Sequence, residues 1–220
     1  MKLILLFITC LLSLCCISSP PSEKGSYYRV YKMKDRKGIS DLWGEEIKLY
    51  GIKNGMKVMD VGGSDAKLIL PLALVCDSID YCVEDINSVN FYWEAPFMAL
   101  AKKNINASAD FSLSSIIGTD STIPAAGKQF DRIIVRETVH HFKYPLQMIR
   151  EFKRLLASDG TIVVSEPTNQ KKFKHCKLLE PKNLIDIFAS EGLKLVSETK
   201  TKAAFIVYIF KVQAPGTATF

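Results

Sequence analysis

The chain has 220 residues, 48% of them apolar, with 29 basic against 23 acidic side chains and a formal charge of +6. That length suits one domain of ordinary size and excludes a (β/α)8 barrel with insertions; 12 glycines and 9 prolines exclude collagen-like, disordered and low-complexity chains. The positive charge is mild and scattered, without the clustered stripe of a nucleic-acid binder, and the run Lys171, Lys172, Lys174 and Lys177 reads as a solvated loop or helix face.

The first element is a leader. Lys2 precedes an almost unbroken apolar run from Leu3 to Ile17. The run is shorter than the roughly 20 residues a spanning helix needs, and Ser18, Ser19 and Pro20 follow it. Residues 1–18 therefore read as a signal peptide or lipoprotein-type leader. Cys15 and Cys16 stand where a lipidated cysteine would, although Leu14 occupies a place that prefers a small residue. The chain is accordingly expected to be exported or membrane-anchored through this leader. An uncleaved short anchor and a true start at Met33, which would make the protein cytoplasmic, stay open as alternatives. Residues 19–26 read as a linker, 27–212 as one domain without internal repeats, and 213–220 as a tail.

Within the domain, helices and strands alternate. Ile39–Tyr50 is expected as an amphipathic helix, Lys57–Val61 as a strand and Ala66–Cys76 as a helix, with Pro71 an awkward member. Asp80–Ile86 reads as a strand, Ser88–Asn104 as a long helical stretch, and Ser115–Ile117 and Phe130–Val135 as strands. Pro145–Leu156 is a helix, Asp159–Gly160 a turn and Thr161–Ser165 a strand. Pro181–Glu191 is a helix stopped by Gly192, and Leu195–Thr199 and Ala204–Val212 are the last strands. This order implies βαβ units, a mostly parallel sheet with helices on both faces, and a closing pair that runs antiparallel. In such folds ligands bind beyond the carboxyl ends of the strands.

Cys76, Cys82 and Cys176 are an odd number at no metal-ligand spacing, so neither a disulfide framework nor a metal site is expected. A Cys76–Cys82 bridge stays open for an oxidising compartment.

The first strand runs into Asp60-Val61-Gly62-Gly63-Ser64-Asp65-Ala66. Small residues at a strand-to-helix turn let a ligand approach the backbone. The loop fits neither the dinucleotide pattern, because Ser64 and Lys67 stand at its second and third glycines, nor the P-loop. Asp85 ends the second strand, 25 residues beyond Asp60, where a carboxylate can accept both hydroxyls of a ribose diol. Glu84 takes that part if the strand register differs by one.

The segment 116–167, with Gly118 and Asp120, Pro124, Phe130-Asp131, His140-His141, Arg150-Glu151, Arg154-Leu155-Leu156, Asp159-Gly160 and Glu166-Pro167, resembles the core of class I S-adenosylmethionine-dependent methyltransferases. Residues 42–66 are similar to that family's entry and 194–212 to its final strand pair. The resemblance implies a three-layer Rossmann-like α/β sandwich, a mostly parallel seven-stranded sheet with an antiparallel edge strand. It implies S-adenosylmethionine as the cofactor, with Asp60, Gly62, Gly63 and Ser64 at its methionine and ribose parts. Asp85 would then bind the ribose hydroxyls, Ile86 would lie against the adenine, Asp120 and Ser121 would meet the adenine amino group, and Arg136 would sit near the methionine end. Ser64 and Ala66 replace two glycines usual in the family.

Methyl transfer asks chiefly for alignment and desolvation, with a base where the acceptor carries a proton. Candidates for that base are His140, His141 and Glu137, with Tyr28 more remote. The expected function is methyl transfer to a small-molecule acceptor; the alternative is an exported, non-catalytic protein of the same fold with lost or altered cofactor binding. A nicotinamide oxidoreductase is a third class. An exported address conflicts with a cytosolic methyl donor, and either a downstream start, a cytosol-facing anchor or loss of the ligand resolves the conflict.

Overall fold

The carboxylate of Asp35 accepts the Gly38 amide at 2.7 Å and so caps helix α1, Arg36–Leu49. The computed structural model describes residues 35–168 and 176–213. The leader, the linker, Tyr28, Lys171, Lys172, Lys174 and the tail beyond 213 lie outside the described residues.

Seven strands follow α1: β1 Lys57–Val61, β2 Asp80–Asp85, β3 Ser112–Ile117, β4 Phe130–Arg136, β5 Leu156–Pro167, β6 Leu193–Lys200 and β7 Phe205–Val212. They form one sheet in the order β3-β2-β1-β4-β5-β7-β6. The pairs β1–β2, β2–β3, β1–β4 and β4–β5 are parallel, whereas β7 runs antiparallel to both β5 and β6. The last two strands thus pair antiparallel as their short connection demands, with β6 outermost.

Alternation along each strand divides the core into two layers. Val58, Val83, Ile134 and Val163 face α1, α2 (Ile69–Leu72) and α3 (Glu94–Asn104). Met59, Cys82, Ile133 and Ile162 face α4 (Pro145–Leu155) and α5 (Pro181–Ser190). Helix α4 shows why: Met148, Ile149, Phe152 and Leu155 recur at helical spacing and are all buried. Each such side chain contributes roughly 1.5–3 kcal/mol. The result is the expected three-layer sandwich.

Two local expectations need correction, and one open alternative closes. The stretch 66–76 is α-helical only over Ile69–Leu72, the rest being turns. Ala66 has φ 56°, a left-handed conformation that cannot start a helix, and Pro71 contributes no amide donor. The Asp159–Gly160 turn lies inside β5. There Phe130 pairs with Leu156 but Arg132 with Thr161, so the extra residues bulge out and the strand continues. Cys76 and Cys82 are free thiols buried on opposite faces of the sheet, and the barrier between them excludes the bridge.

Candidate functional site

The chain turns from β1 toward β2 and β3 on one side, and β4 and β5 continue on the other, so β1 and β4 flank a topological switch point. A cleft of about 370 Å³ opens there, beyond the carboxyl ends of the strands. Gly62, Ser64, Glu84, Asp85, Ile86, Asp120, Arg136, Glu137 and His141 all border it. Asp60 and Gly63 border a smaller recess of about 40 Å³ that shares Gly62, Ser64 and Arg136 with the cleft. Of the residues expected at the cofactor, Ser121 alone lines neither; its amide instead meets the Thr119 hydroxyl at 3.3 Å, within the turn after β3.

The loop after β1 is held by β2. The Ser64 amide donates to Asp85 Oδ2 at 3.0 Å, the Asn87 amide to Asp85 Oδ1 at 2.8 Å, and the Gly63 amide to the Glu84 carbonyl at 3.0 Å. Gly62, Ser64 and Ala66 have φ of 62°, 50° and 56°. Ser64 and Ala66 therefore keep a left-handed backbone that glycine adopts without strain. At Gly62 a Cβ would sit 2.3 Å from Thr138 Cγ2, so close packing by the turn after β4 also demands glycine.

Acidic groups crowd this end of the sheet. Asp60 is buried, accepts the Tyr81 hydroxyl at 2.6 Å, and is pushed up to about 7 by burial, against the pull of that hydrogen bond. Glu84 points to the other side of β2, where Oε2 accepts the Gly62 amide at 3.4 Å. Burial likewise pushes it up to about 7, with the neighbouring Asp85 and Asp60 carboxylates adding to the shift. A Cβ at Gly118 would lie 1.8 Å from Glu84 Oε1, which fixes glycine there. Both Glu84 and Asp85 thus border the cleft; Asp85 clamps the loop, while Glu84 lies against Gly118. Asp65 is buried with Oδ2 unpartnered, and burial raises its pKa.

Arg136 reaches the cleft but is committed elsewhere. Its Nε donates to Glu46 Oε1 at 2.8 Å, it pairs with Glu137, and its guanidinium lies 4.1 Å from the Trp43 ring centre and 4.4 Å from that of Phe205. Burial opposes the charge, and Glu46 and Glu137 more than offset it, so Arg136 stays ionised. Glu46 also accepts the Tyr50 and Ser165 hydroxyls, each at 2.6 Å. Glu137 has φ 55°, a strained conformation for a side chain at a cleft. Asp120 is exposed, 3.8 Å from Lys143 Nζ.

The two histidines differ. The His140 ring is almost wholly buried, does not border the cleft, and has Nδ1 2.6 Å from Glu166 Oε2. Glu166 Oε1 accepts the Thr138 and Val139 amides at 3.1 and 3.0 Å. His140, one of the candidates for the base, thus lies away from the cleft with its ring held by Glu166. His141 does border the cleft, and burial, helped by His140, lowers its pKa. Its Nε2 lies 3.8 Å from Cys176 Sγ. His140, His141 and Cys176 bring one ligand atom each within 4.8 Å of one another. Sequence spacing missed this group, since 35 residues and the whole of β5 separate His141 from Cys176.

A mostly parallel α/β sheet with an acid-tipped β2, a small-residue loop after β1 and a shared cleft at the switch point has the layout in which doubly wound folds bind their ligands. The methyltransferase-domain family model matches residues 34–198, three quarters of the chain, and the chain belongs to that family of class I S-adenosylmethionine-dependent methyltransferases. Among solved structures it is similar to a SAM-dependent methyltransferase from Aquifex aeolicus, at 19% identity and TM-score 0.62, over 86% of this chain and 100% of that one. It is also similar to the glycopeptide N-methyltransferase MtfA complexed with S-adenosyl-L-methionine, at 10% identity and TM-score 0.60, over 82% and 95%. The pyocyanin biosynthetic protein PhzM matches at 14% identity and TM-score 0.62, over 79% of this chain and 55% of that one. A search of the curated proteins finds no match.

Proposed function

We propose that this chain binds S-adenosylmethionine in the cleft and transfers its methyl group to a small-molecule acceptor. The observation that carries the reading is Asp85. It stands at the carboxyl end of β2, borders the cleft, and spends one lone pair of each carboxylate oxygen on a loop amide. The remaining lone pairs suit the two hydroxyls of a ribose. Ile86, 64% exposed beside it, offers an apolar face to an adenine ring, and Asp120, after the neighbouring β3, borders the same cleft as an acceptor for the adenine amino group. The left-handed Ser64 and Ala66 support the fit, since the loop retains the path of the glycines it lacks. This favours cofactor binding over the non-catalytic alternative.

Bound S-adenosylmethionine supplies an activated methyl group on a sulfonium. The chain's own part is to hold the donor through Asp85 and the loop, to exclude water with Ile86, Phe142 and Met148, and to receive the acceptor's proton at Glu137 or, where no metal occupies its ring nitrogen, at His141. Arg136 keeps Glu137 beside the cleft.

Calorimetry and thermal unfolding with S-adenosylmethionine and its demethylated product test the reading. Ligand that binds only the folded state at a hundredfold excess over its dissociation constant raises stability by ~2.7 kcal/mol. A shift that Asp85→Ala abolishes supports the proposal; a folded chain with no shift at millimolar ligand sinks it. We further propose that residues 1–18 export or anchor the chain. Fractionation of cells carrying a C-terminally tagged protein checks this, and a tagged product starting at Met33 would replace it with a cytoplasmic address.

A further inference from the structure

We propose that His140, His141 and Cys176 form a Zn2+ site at the acceptor end of the cleft, and that its remaining position takes the sulfur of a thiol acceptor. The second half rests on the methyltransferase reading above. The first half stands on geometry alone.

Three ligand atoms, two imidazole nitrogens and a thiol sulfur, lie within 4.8 Å of one another. Zinc holds nitrogen at about 2.0–2.1 Å and sulfur at about 2.3 Å, so two such bonds at a tetrahedral angle set the atoms about 3.6 Å apart. His141 Nε2 and Cys176 Sγ are 3.8 Å apart. An ion between them needs little movement of either side chain. Two nitrogens and a sulfur also choose among metals: they suit zinc and disfavour magnesium and calcium, which want oxygen.

A second feature of the group points the same way. Glu166 Oε2 sits 2.6 Å from His140 Nδ1. A carboxylate on one ring nitrogen fixes the tautomer of a metal-ligating histidine and raises its basicity. Glu166 is itself fixed, since it is buried and accepts the amides of Thr138 and Val139 from the same turn that carries both histidines. The turn, the carboxylate and the two rings, whose centres are 4.1 Å apart, are thus held together by these contacts. Cys176 approaches it from the segment after β5.

The place of the group gives the chemistry. His141 borders the cleft beside Phe142 and Met148, on the β4 side, across from Asp85 on β2. Three ligands among the described residues leave a tetrahedral zinc one further position, which we assign to an outside ligand. A thiol taken there gives up its proton to solvent on binding. Its sulfur then forms a bond to the methyl carbon, the carbon–sulfonium bond breaks, and its electron pair stays on the departing sulfur as a neutral thioether. No oxidant or reductant enters.

The test uses the full chain. Purified without chelator, it should carry one zinc per chain by elemental analysis. Its cobalt form should show a thiolate-to-metal absorption band. Cys176→Ser, with Cys10, Cys15 and Cys16 untouched, should lose the band, and His141→Ala should weaken zinc binding at least tenfold. Glu166→Gln should keep the band and weaken zinc binding by roughly 10–100-fold, the mark of a positioning residue. Substoichiometric zinc in the wild-type chain, or an unchanged band in Cys176→Ser, overturns the site. With zinc and S-adenosylmethionine loaded, 2-mercaptoethanol should yield its S-methyl product by mass spectrometry, and ethylene glycol none. Zinc and donor both bound but no thiol methylated overturns the acceptor assignment. Zinc bound without donor binding, measured by calorimetry, overturns the methyltransferase reading and leaves the metal site standing.

Discussion

The Ser64 amide points at the Asp85 carboxylate and donates to it at 3.0 Å, so one acidic side chain both shapes the loop after β1 and forms a wall of the cleft. Loop and ligand site therefore respond together. Asp85→Ala removes the acceptor of two backbone amides, Ser64 and Asn87, and charge-assisted bonds of this kind contribute about 1.5–3 kcal/mol. Chemical denaturation of the ligand-free variant should show a loss of that order. Calorimetry should show the affinity for S-adenosylmethionine falling more than tenfold. Asp85→Asn, which keeps an acceptor, should recover part of the stability and little of the affinity.

Ser64 and Ala66 carry a backbone that L-residues hold at a cost of roughly 1–2 kcal/mol each. Glycine removes that strain but loses about 0.4–1 kcal/mol through the freer unfolded chain. Ser64→Gly and Ala66→Gly should then leave stability unchanged or raise it by up to about 1.6 kcal/mol. Ala66→Val should lower it by more than 2 kcal/mol, since Ala66 is fully buried as well as left-handed. Urea midpoints of the three variants decide it; a large loss in either glycine variant would mean that the loop is not strained.

Much of this arrangement was legible in the chain, and the reasons are physical. Helix α4 announces itself by Met148, Ile149, Phe152 and Leu155 at helical spacing, and β1 by a short apolar run before two glycines. Asp60 is visible because it stands beside a glycine pair, and Asp85 because it ends the second strand 25 residues further on. The left-handed turn at Ala66 was hidden, because alanine normally reads as helix and gives no sign of positive φ. The approach of Cys176 to His141 was hidden too, since no local pattern reports a contact made across β5. Glu46 looks like any acidic residue of an amphipathic helix, yet it is 2% exposed and meets Ser165, 119 residues away.

Glu84 and Asp60 give the fold an unusual pH dependence. Both are held up to about 7 by burial, whereas in the unfolded chain such groups titrate near ~4. Between about pH 4 and about pH 7 the folded state therefore holds more protons than the unfolded one, and stability falls as pH rises through that window. Above it the loss is complete and the curve is flat. For Glu84 alone, a rise from 4.5 to about 7 corresponds to on the order of 3 kcal/mol. Glu84→Gln should flatten the profile and make the ligand-free chain more stable at pH 8 than the wild type. Denaturation at pH 5 and pH 8 checks this, and a wild-type chain more stable at pH 8 would contradict it. Gln still accepts the Gly62 amide, so the loop should hold its shape.

Arg136 and Glu46 make the last and most demanding case. The guanidinium is clamped between the Trp43 and Phe205 rings and paired with a carboxylate that also accepts Tyr50 and Ser165. This unit ties α1 to the ends of β4, β5 and β7, beneath the wall of the cleft that Glu137 completes. Breaking a buried pair by removing one partner strands the other, at a cost of about 3–5 kcal/mol. Glu46→Ala should therefore destabilise strongly and release Arg136 toward Glu137 alone. Replacing both charges, Glu46→Met with Arg136→Met, leaves no ion stranded in the buried pair and only the partly exposed Glu137 without its cation, and the double variant should be more stable than either single one. A double-mutant cycle by urea denaturation measures the coupling, and additive losses would show that the pair does not act as a unit. The same double variant separates fold from function, because it removes the anchor of Glu137 without removing Asp85. Its affinity for S-adenosylmethionine should fall far less than that of Asp85→Ala.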